Sequence, residues 1–212
     1  MDYYYAGIIS GIVQTIIGHP FDTLKTWKQN NHFVKISPKT LCRGIIYPLI
    51  TNTPIVSLNM GSYNQINNII DNTVISGGIS GIITSPLVSI IDTYKINKQM
   101  KNKNYLNNFR KGLNITLLRE IPSFSIYFST YYYMKENKYN ELISGGVAGV
   151  LCWLPTYPLD VIKTRIQSNN FSCIKEAYNY GKLWNGLNFC LLRAFLTNAF
   201  GFYAYEKIIN IL

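Results

Sequence analysis

Charge is scarce in this 212-residue chain. Asp, Glu, Lys and Arg together make up 14%, against about 25% in soluble domains. That shortfall argues against a soluble protein. Acidic residues are the scarcer sign, ten against twenty basic, for a formal charge of +10. Histidine is nearly missing: His19 and His32 are the two copies. The four cysteines, Cys42, Cys152, Cys173 and Cys190, form no Cys-x-x-Cys pair and no metal-ligand spacing. Nucleophile–base sets and phosphate loops are absent too, so neither covalent chemistry nor a cofactor is expected. Met1 leads almost directly into an apolar run with no Arg-rich amphipathic stretch before it, so any targeting address is expected to be internal.

Apolar residues are abundant at 48%, and aromatics reach 14%. Six stretches, near 3–28, 44–70, 73–98, 112–135, 140–167 and 186–211, are long enough for helices that cross a bilayer. The mean hydropathy of +0.06 is low for a chain mostly inside lipid. Helices with one polar side lining a wet cavity resolve that conflict. Fifteen of the twenty basic residues sit at or in the first, third and fifth connections: Lys25, Lys28, Lys35, Lys39, Arg43; Lys95, Lys98, Lys101, Lys103, Arg110, Lys111; Lys163, Arg165, Lys175, Lys182. The positive-inside tendency therefore puts those connections toward the inner compartment and both termini on the other side. Basic residues flank the spans and form no single patch, which argues against a nucleic-acid partner.

The first run ends "HPFDTLKTWKQ" and the fifth "YPLDVIKTRIQ", an apolar helix finishing in proline and fixed charge. The ending recurs. Moving Gly7, Gly11, Asp22, Lys25 and Gln29 forward by 70 residues lands on Gly77, Gly81, Asp92, Lys95 and Gln99. Moving forward by 138, with Pro20 included, lands on Gly145, Gly149, Pro158, Asp160, Lys163 and Gln167. In the even runs Gly44, Gly112 and Gly186 are each followed 19 residues later by Tyr63, Tyr131 and Tyr205. The chain is thus read as one domain, 1–212, of three two-helix repeats, 1–70, 71–138 and 139–212.

Glycines spaced by four let transmembrane helices approach closely. A proline inside a span kinks it. Asp and Lys within a span are costly unless paired or wet. Three kinked helices around a pseudo-threefold axis would bring the acids and lysines to one depth, pairing Asp22 with Lys95, Asp92 with Lys163, and Asp160 with Lys25. Pairing at i,i+3 within one helix end is the simpler alternative, which threefold recurrence disfavours.

The three Asp-x-x-Lys endings, each followed by glutamine and two of them preceded by proline as Pro-x-Asp, resemble the signature of the mitochondrial carrier family over nearly the whole chain. The resemblance implies an all-α barrel of six transmembrane helices around a central substrate site, in the mitochondrial inner membrane with termini toward the intermembrane space. It also implies a matrix gate of Asp22, Lys25, Asp92, Lys95, Asp160 and Lys163, braced by Gln29, Gln99 and Gln167. A small-molecule substrate, membrane lipid such as cardiolipin, and a monomeric state are the partners implied, with no nucleic acid.

The chain departs from that pattern in four places. Ile90 stands at the proline position of the second repeat, with Pro86 a turn earlier. The second basic position holds Trp27 and Asn97, leaving Arg165. The basic-side connections are short, so the surface helices found there in relatives are expected to be clipped, leaving fragments such as "CRG" and "RKG" of the lipid sites. At the outer gate the copies read Tyr63-Asn64-x-x-Asn67, Tyr131-Tyr132-x-x-Lys135 and Tyr205-Glu206-x-x-Ile209. Lys135 and Glu206 would then face Asn64 and Asn67, giving a gate of hydrogen bonds.

Seven residues after each even-run glycine stand Thr51, Arg119 and Arg193, followed by Asn52, Glu120 and Ala194. Equal depth in three helices makes these side chains converge, and charge at mid-membrane depth points to function. The family resemblance makes Thr51, Asn52, Arg119, Glu120 and Arg193 substrate contacts. "KGLNITLLREIPSFSIYF" and "NGLNFCLLRAF" resemble carriers of amino acids and carnitine-like solutes. An arginine fork suits a carboxylate, and Glu120 suits an ammonium. Neighbours on a helix point about 100° apart, so Arg119 and Glu120 are not expected to neutralise each other. The set is net +1, fitting a zwitterion or cationic amino acid. Two readings stay open beside it: a nucleotide or deoxynucleotide carrier, and a non-transporting membrane scaffold.

Overall fold

The computed structural model describes residues 2–29, 42, 44–100, 105–167, 174–181, 183, 184 and 186–212, with side chains at 23–29, 93, 95–100, 105–112, 166, 167, 174 and 177 left outside. Its elements are α1 (Asp2–Gln29), α2 (Ile46–Ile70), α3 (Thr73–Met100), α4 (Tyr105–Glu136), α5 (Glu141–Gln167), a six-residue α6 (Ile174–Asn179) and α7 (Leu187–Ile209). The described residues contain no strand. Among the described residues the fold is all-α, six long helices and one short.

Helix is what long apolar runs must form where water is absent, since each peptide group then finds its partner inside its own segment. Prolines do not break these helices: Pro20, Pro54, Pro86, Pro122, Pro155 and Pro158 all lie within them. The expected runs match α1, α2, α3, α5 and α7 to within three residues at each end. α4 differs, starting at Tyr105 instead of 112. The reason shows at the repeat glycines. Gly44 and Gly186 take left-handed backbone (φ 84° and 87°) and mark the starts of α2 and α7, whereas Gly112 lies inside helix α4, where "YLNNFRK" carries the helix further back. In the fifth connection α6 is a remnant surface helix of six residues. The first and third connections fall largely outside the described residues.

Each long helix packs on the next, α1 through α5, then α7, and α7 returns to α1. That closes a ring. Within each repeat the paired glycines form the seam. A Cβ at Gly7 would stand 2.7 Å from Ser57 Cα, one at Gly77 2.5 Å from the Phe124 carbonyl oxygen, and one at Gly145 2.6 Å from the Asn198 carbonyl oxygen. Such contacts leave no room for a side chain, the geometry that small-x-x-x-small spacing exists to allow.

The polarity of the ring runs opposite to that of a soluble bundle. Ser10, Ser76, Ser80, Thr84, Ser85, Ser89, Thr116 and Ser144 are fully buried, while Ile16, Ile50, Ile69, Leu118, Phe189 and Leu192 are more than half exposed. Several buried hydroxyls find partners in their own helix: Thr15 donates to the Gly11 carbonyl at 2.8 Å, Ser85 to Gly81 at 2.6 Å and Thr156 to Cys152 at 2.6 Å, while Ser10 donates across the ring seam to the Gly201 carbonyl at 2.8 Å. Small polar residues inside and an apolar exterior account for the modest mean hydropathy. Of the six runs expected to be long and apolar enough to cross a membrane, two are so among the described residues by length and composition, α3 over 73–92 and α5 over 141–165.

Candidate functional site

The ring encloses a cavity of about 360 Å³, lined by residues of α1, α2, α3, α4, α5 and α7. Its polar wall consists of Gln14, Asn52, Asn59, Asp92, Arg119, Glu120, Ser123, Tyr127, Asp160, Arg193 and Asn198. A second lobe of about 230 Å³ shares Gln14, Asn52, Trp153, Arg193 and Asn198 and reaches Thr15 and Thr197.

Four of the five predicted contact residues line this space: Asn52, Arg119, Glu120 and Arg193. Thr51 does not. Its hydroxyl turns back to the Tyr47 carbonyl at 3.0 Å, the usual satisfaction of a threonine in a helix, and Asn52 faces the cavity in its place.

Arg119 is the hub. Its Nη2 pairs with the Glu120 carboxylate, and its Nη1 donates to Asp160 Oδ1 at 3.0 Å. The guanidinium stands 5.6 Å from the Trp153 ring centroid, within cation–π range. Expecting Arg119 and Glu120 to stay apart was therefore wrong. Four rotatable bonds let the guanidinium fold back across the 100° step, and a carboxylate only 3% exposed requires a partner. The charge reading changes as well: the cavity holds three carboxylates, Asp92, Glu120 and Asp160, against two guanidiniums. A third cation, Lys163, is bound to Asp92.

At the basic end Lys163 Nζ meets Asp92 Oδ2 at 2.5 Å, the contact expected between the second and third repeats. Lys163 is only 2% exposed. The other two aspartates turn to arginine. Asp160 takes Arg119, and Asp22 Oδ1 stands 2.8 Å from Arg193 Nε, an ion pair without a directed hydrogen bond. The side chains of Lys25, Lys95, Gln29, Gln99 and Gln167 lie outside the described residues.

The terminal end is closed by aromatic rings. Tyr63 stacks on Phe128 at 3.7 Å and Tyr131 on Phe202 at 3.5 Å. Each tyrosine thus covers the residue three positions before the next repeat's tyrosine. The closing position holds Met60, buried in the same cluster as Tyr205. Above the rings Lys135 Nζ pairs with a Glu206 oxygen at 2.5 Å, and Tyr131 donates to that oxygen at 3.0 Å. Asn64 donates to the Tyr205 hydroxyl at 2.9 Å and accepts from Tyr132 at 3.3 Å. The expected pairing of Lys135 and Glu206 with asparagines is corrected: the two charges find each other, because α4 and α7 each present one beside the closed ring.

Sequence reasoning missed Phe128 and Phe202, although both recur at the same offset as Tyr131 and Tyr205. It also missed Gln14, Asn59, Trp153 and Asn198, which break the repeat and so carry no periodic signal. Among the described residues no His, Cys, Asp and Glu cluster could hold a metal ion.

A family profile described as mitochondrial carrier protein matches residues 135–212. The mitochondrial arginine transporter BAC2 of Arabidopsis thaliana is 28% identical, the match covering 99% of this chain and 90% of that protein. The mitochondrial basic amino acids transporter of Bos taurus is 26% identical, over 98% of this chain and 91% of that protein. The glutamate/glycine mitochondrial carrier ymc1 of Schizosaccharomyces pombe is 26% identical over 97% and 92%. The match to the plant protein runs over 268 aligned positions against 212 residues here, so it carries gaps, in keeping with shortened connections. The repeated signature, the six-helix ring and these relatives agree: over nearly its whole length the chain is similar to proteins of the mitochondrial carrier family.

Proposed function

We propose that the chain exchanges a basic amino acid across the mitochondrial inner membrane by alternating between two states of the barrel, open to opposite faces. The observation that carries this is the cavity's charge, three carboxylates against two guanidiniums. A cation that also bears a carboxylate complements both signs. Glu120 receives the ammonium, and Arg119 and Arg193 receive the carboxylate through their planar forks. A nucleotide would bring several phosphate charges against Asp92, Glu120 and Asp160 with too few cations to balance them. The plant and bovine relatives, named as transporters of arginine and of basic amino acids, support the same substrate class. The cavity lies between the closed aromatic end and the aspartates, so the state described is the one sealed at the terminal end, which the positive-inside tendency assigns to the intermembrane space.

Uptake of labelled arginine and labelled dATP into proteoliposomes preloaded with the unlabelled solute tests the reading. Arginine exchange without dATP exchange is expected. Exchange of dATP alone would overturn the substrate class, and exchange of neither would favour a scaffold.

A further inference from the structure

The three gate aspartates are not held alike, and the difference follows the repeat. Arg119 of the second repeat grips Asp160 of the third, with Nη1 at 3.0 Å from Oδ1. Arg193 of the third repeat stands 2.8 Å from Asp22 of the first. The equivalent position in the first repeat is Thr51, which bonds to its own helix. Threonine cannot reach the aspartate of the next repeat, and that aspartate, Asp92, is the one bound by Lys163 at 2.5 Å. Where the contact position has an arginine, the arginine takes the following aspartate. Where it has none, the aspartate is bound by Lys163, among the described side chains.

We infer that Arg119 and Arg193 hold the gate aspartates Asp160 and Asp22 until a substrate carboxylate takes the arginines, so that filling the cavity releases those aspartates to close the gate. This deepens the transport reading and rests on it. Two carboxylates compete for one group. A guanidinium fork offers two parallel N–H bonds to a single carboxylate, and Arg119 already spends its Nη1 on Asp160 and its Nη2 on Glu120. Its Nε is buried without a hydrogen-bond partner. An arriving carboxylate that takes the edge shared by Nη1 and Nη2 gains a bidentate contact only by displacing an acid, and Asp160, 31% exposed, is displaced more readily than Glu120 at 4%. The released Asp160 regains water or a gate lysine, whereas a displaced Glu120 would be a buried charge without a partner. Substrate recognition and gate closure then share one switch, and an empty cavity leaves Asp160 and Asp22 on the arginines.

Equilibrium binding of labelled arginine to the purified full-length chain tests this, with agmatine, which is arginine without its carboxylate, as a second probe. Asp160→Asn removes the competitor, so arginine should bind about three- to tenfold tighter, because affinity falls in proportion to the fraction of protein with the site vacant. Simple electrostatics predicts the opposite, since a negative charge has left a site for a cation. Agmatine, with no carboxylate to compete, should not gain. Asp92→Asn removes a charge from the same cavity that no arginine holds, and should tighten neither probe. Asp160→Ser makes the same test if the asparagine form does not fold. Arginine binding to wild type with no tightening in either Asp160 variant overturns the inference and leaves the transport reading standing. Equal tightening in the Asp92 variant, or of agmatine, overturns it too. Failure of wild type to bind arginine overturns the substrate reading itself, and this inference with it.

Discussion

Lys135 of α4 and Glu206 of α7 meet at 2.5 Å over a ring of stacked aromatic side chains. Neither has a charged counterpart in the first repeat, where the matching positions are Asn64 and Asn67. The closed end is therefore one ion pair and a few hydrogen bonds above an aromatic plug. Lys135 is 40% exposed, so water screens the pair. Glu206→Gln should lower stability by only about 1 kcal/mol and raise the exchange rate, because the closed end is easier to open. A thermal melt in detergent with proteoliposome exchange checks both; an unchanged rate would mean this pair does not limit opening.

Two tyrosines at equivalent positions should respond differently to loss of the hydroxyl. Tyr131 donates to Glu206 at 3.0 Å, whereas the buried Tyr63 hydroxyl has no hydrogen-bond partner. Tyr131→Phe should cost about 1 kcal/mol. Tyr63→Phe keeps the stack on Phe128 and should be neutral or mildly stabilising, since it removes an unsatisfied buried group. Equal losses of melting temperature would contradict the closed-end geometry.

The seam between α3 and α4 makes a sharper comparison between neighbouring glycines. A Cβ at Gly77 would meet the Phe124 carbonyl oxygen at 2.5 Å, while one at Gly78 would meet the Ser125 hydroxyl at 3.0 Å. Backbone cannot yield as a hydroxyl can. Gly77→Ala should destabilise by about 1–3 kcal/mol through overpacking. Gly78→Ala should be near neutral, with alanine's better helix propensity offsetting a small displacement. Melting curves that fail to separate the two would argue against close packing at this seam.

Glu120 tests the assignment of the cation. The carboxylate is buried and lines the cavity. Glu120→Gln should weaken arginine binding roughly ten- to a hundredfold, the worth of a charge-assisted bond, while the helices stay folded because Arg119 keeps Asp160. The ratio of KM values for uptake reads this directly, and an unchanged KM would remove Glu120 from the site.

Much of this protein was legible in its residue order. Ungapped recurrence of Gly7, Asp22 and Lys25 showed three helix pairs, the glycine spacing showed where each pair closes, and the position of Thr51, Arg119 and Arg193 after their glycines showed which residues share a depth. These are backbone properties: one residue advances a helix by about 1.5 Å, so spacing along the chain sets height in the barrel. Height alone does not choose a partner. Around one cavity the guanidinium of Arg119 can reach Glu120, Asp160 and the face of Trp153, and all three contacts form. The pairing of Lys135 with Glu206, the turning of Thr51 to its own helix, and the meeting of Asp92, Glu120 and Asp160 in one cavity were decided in the same way. They depend on distances across the ring and on which buried carboxylate most needs a cation, and those quantities come into being only when the six helices close.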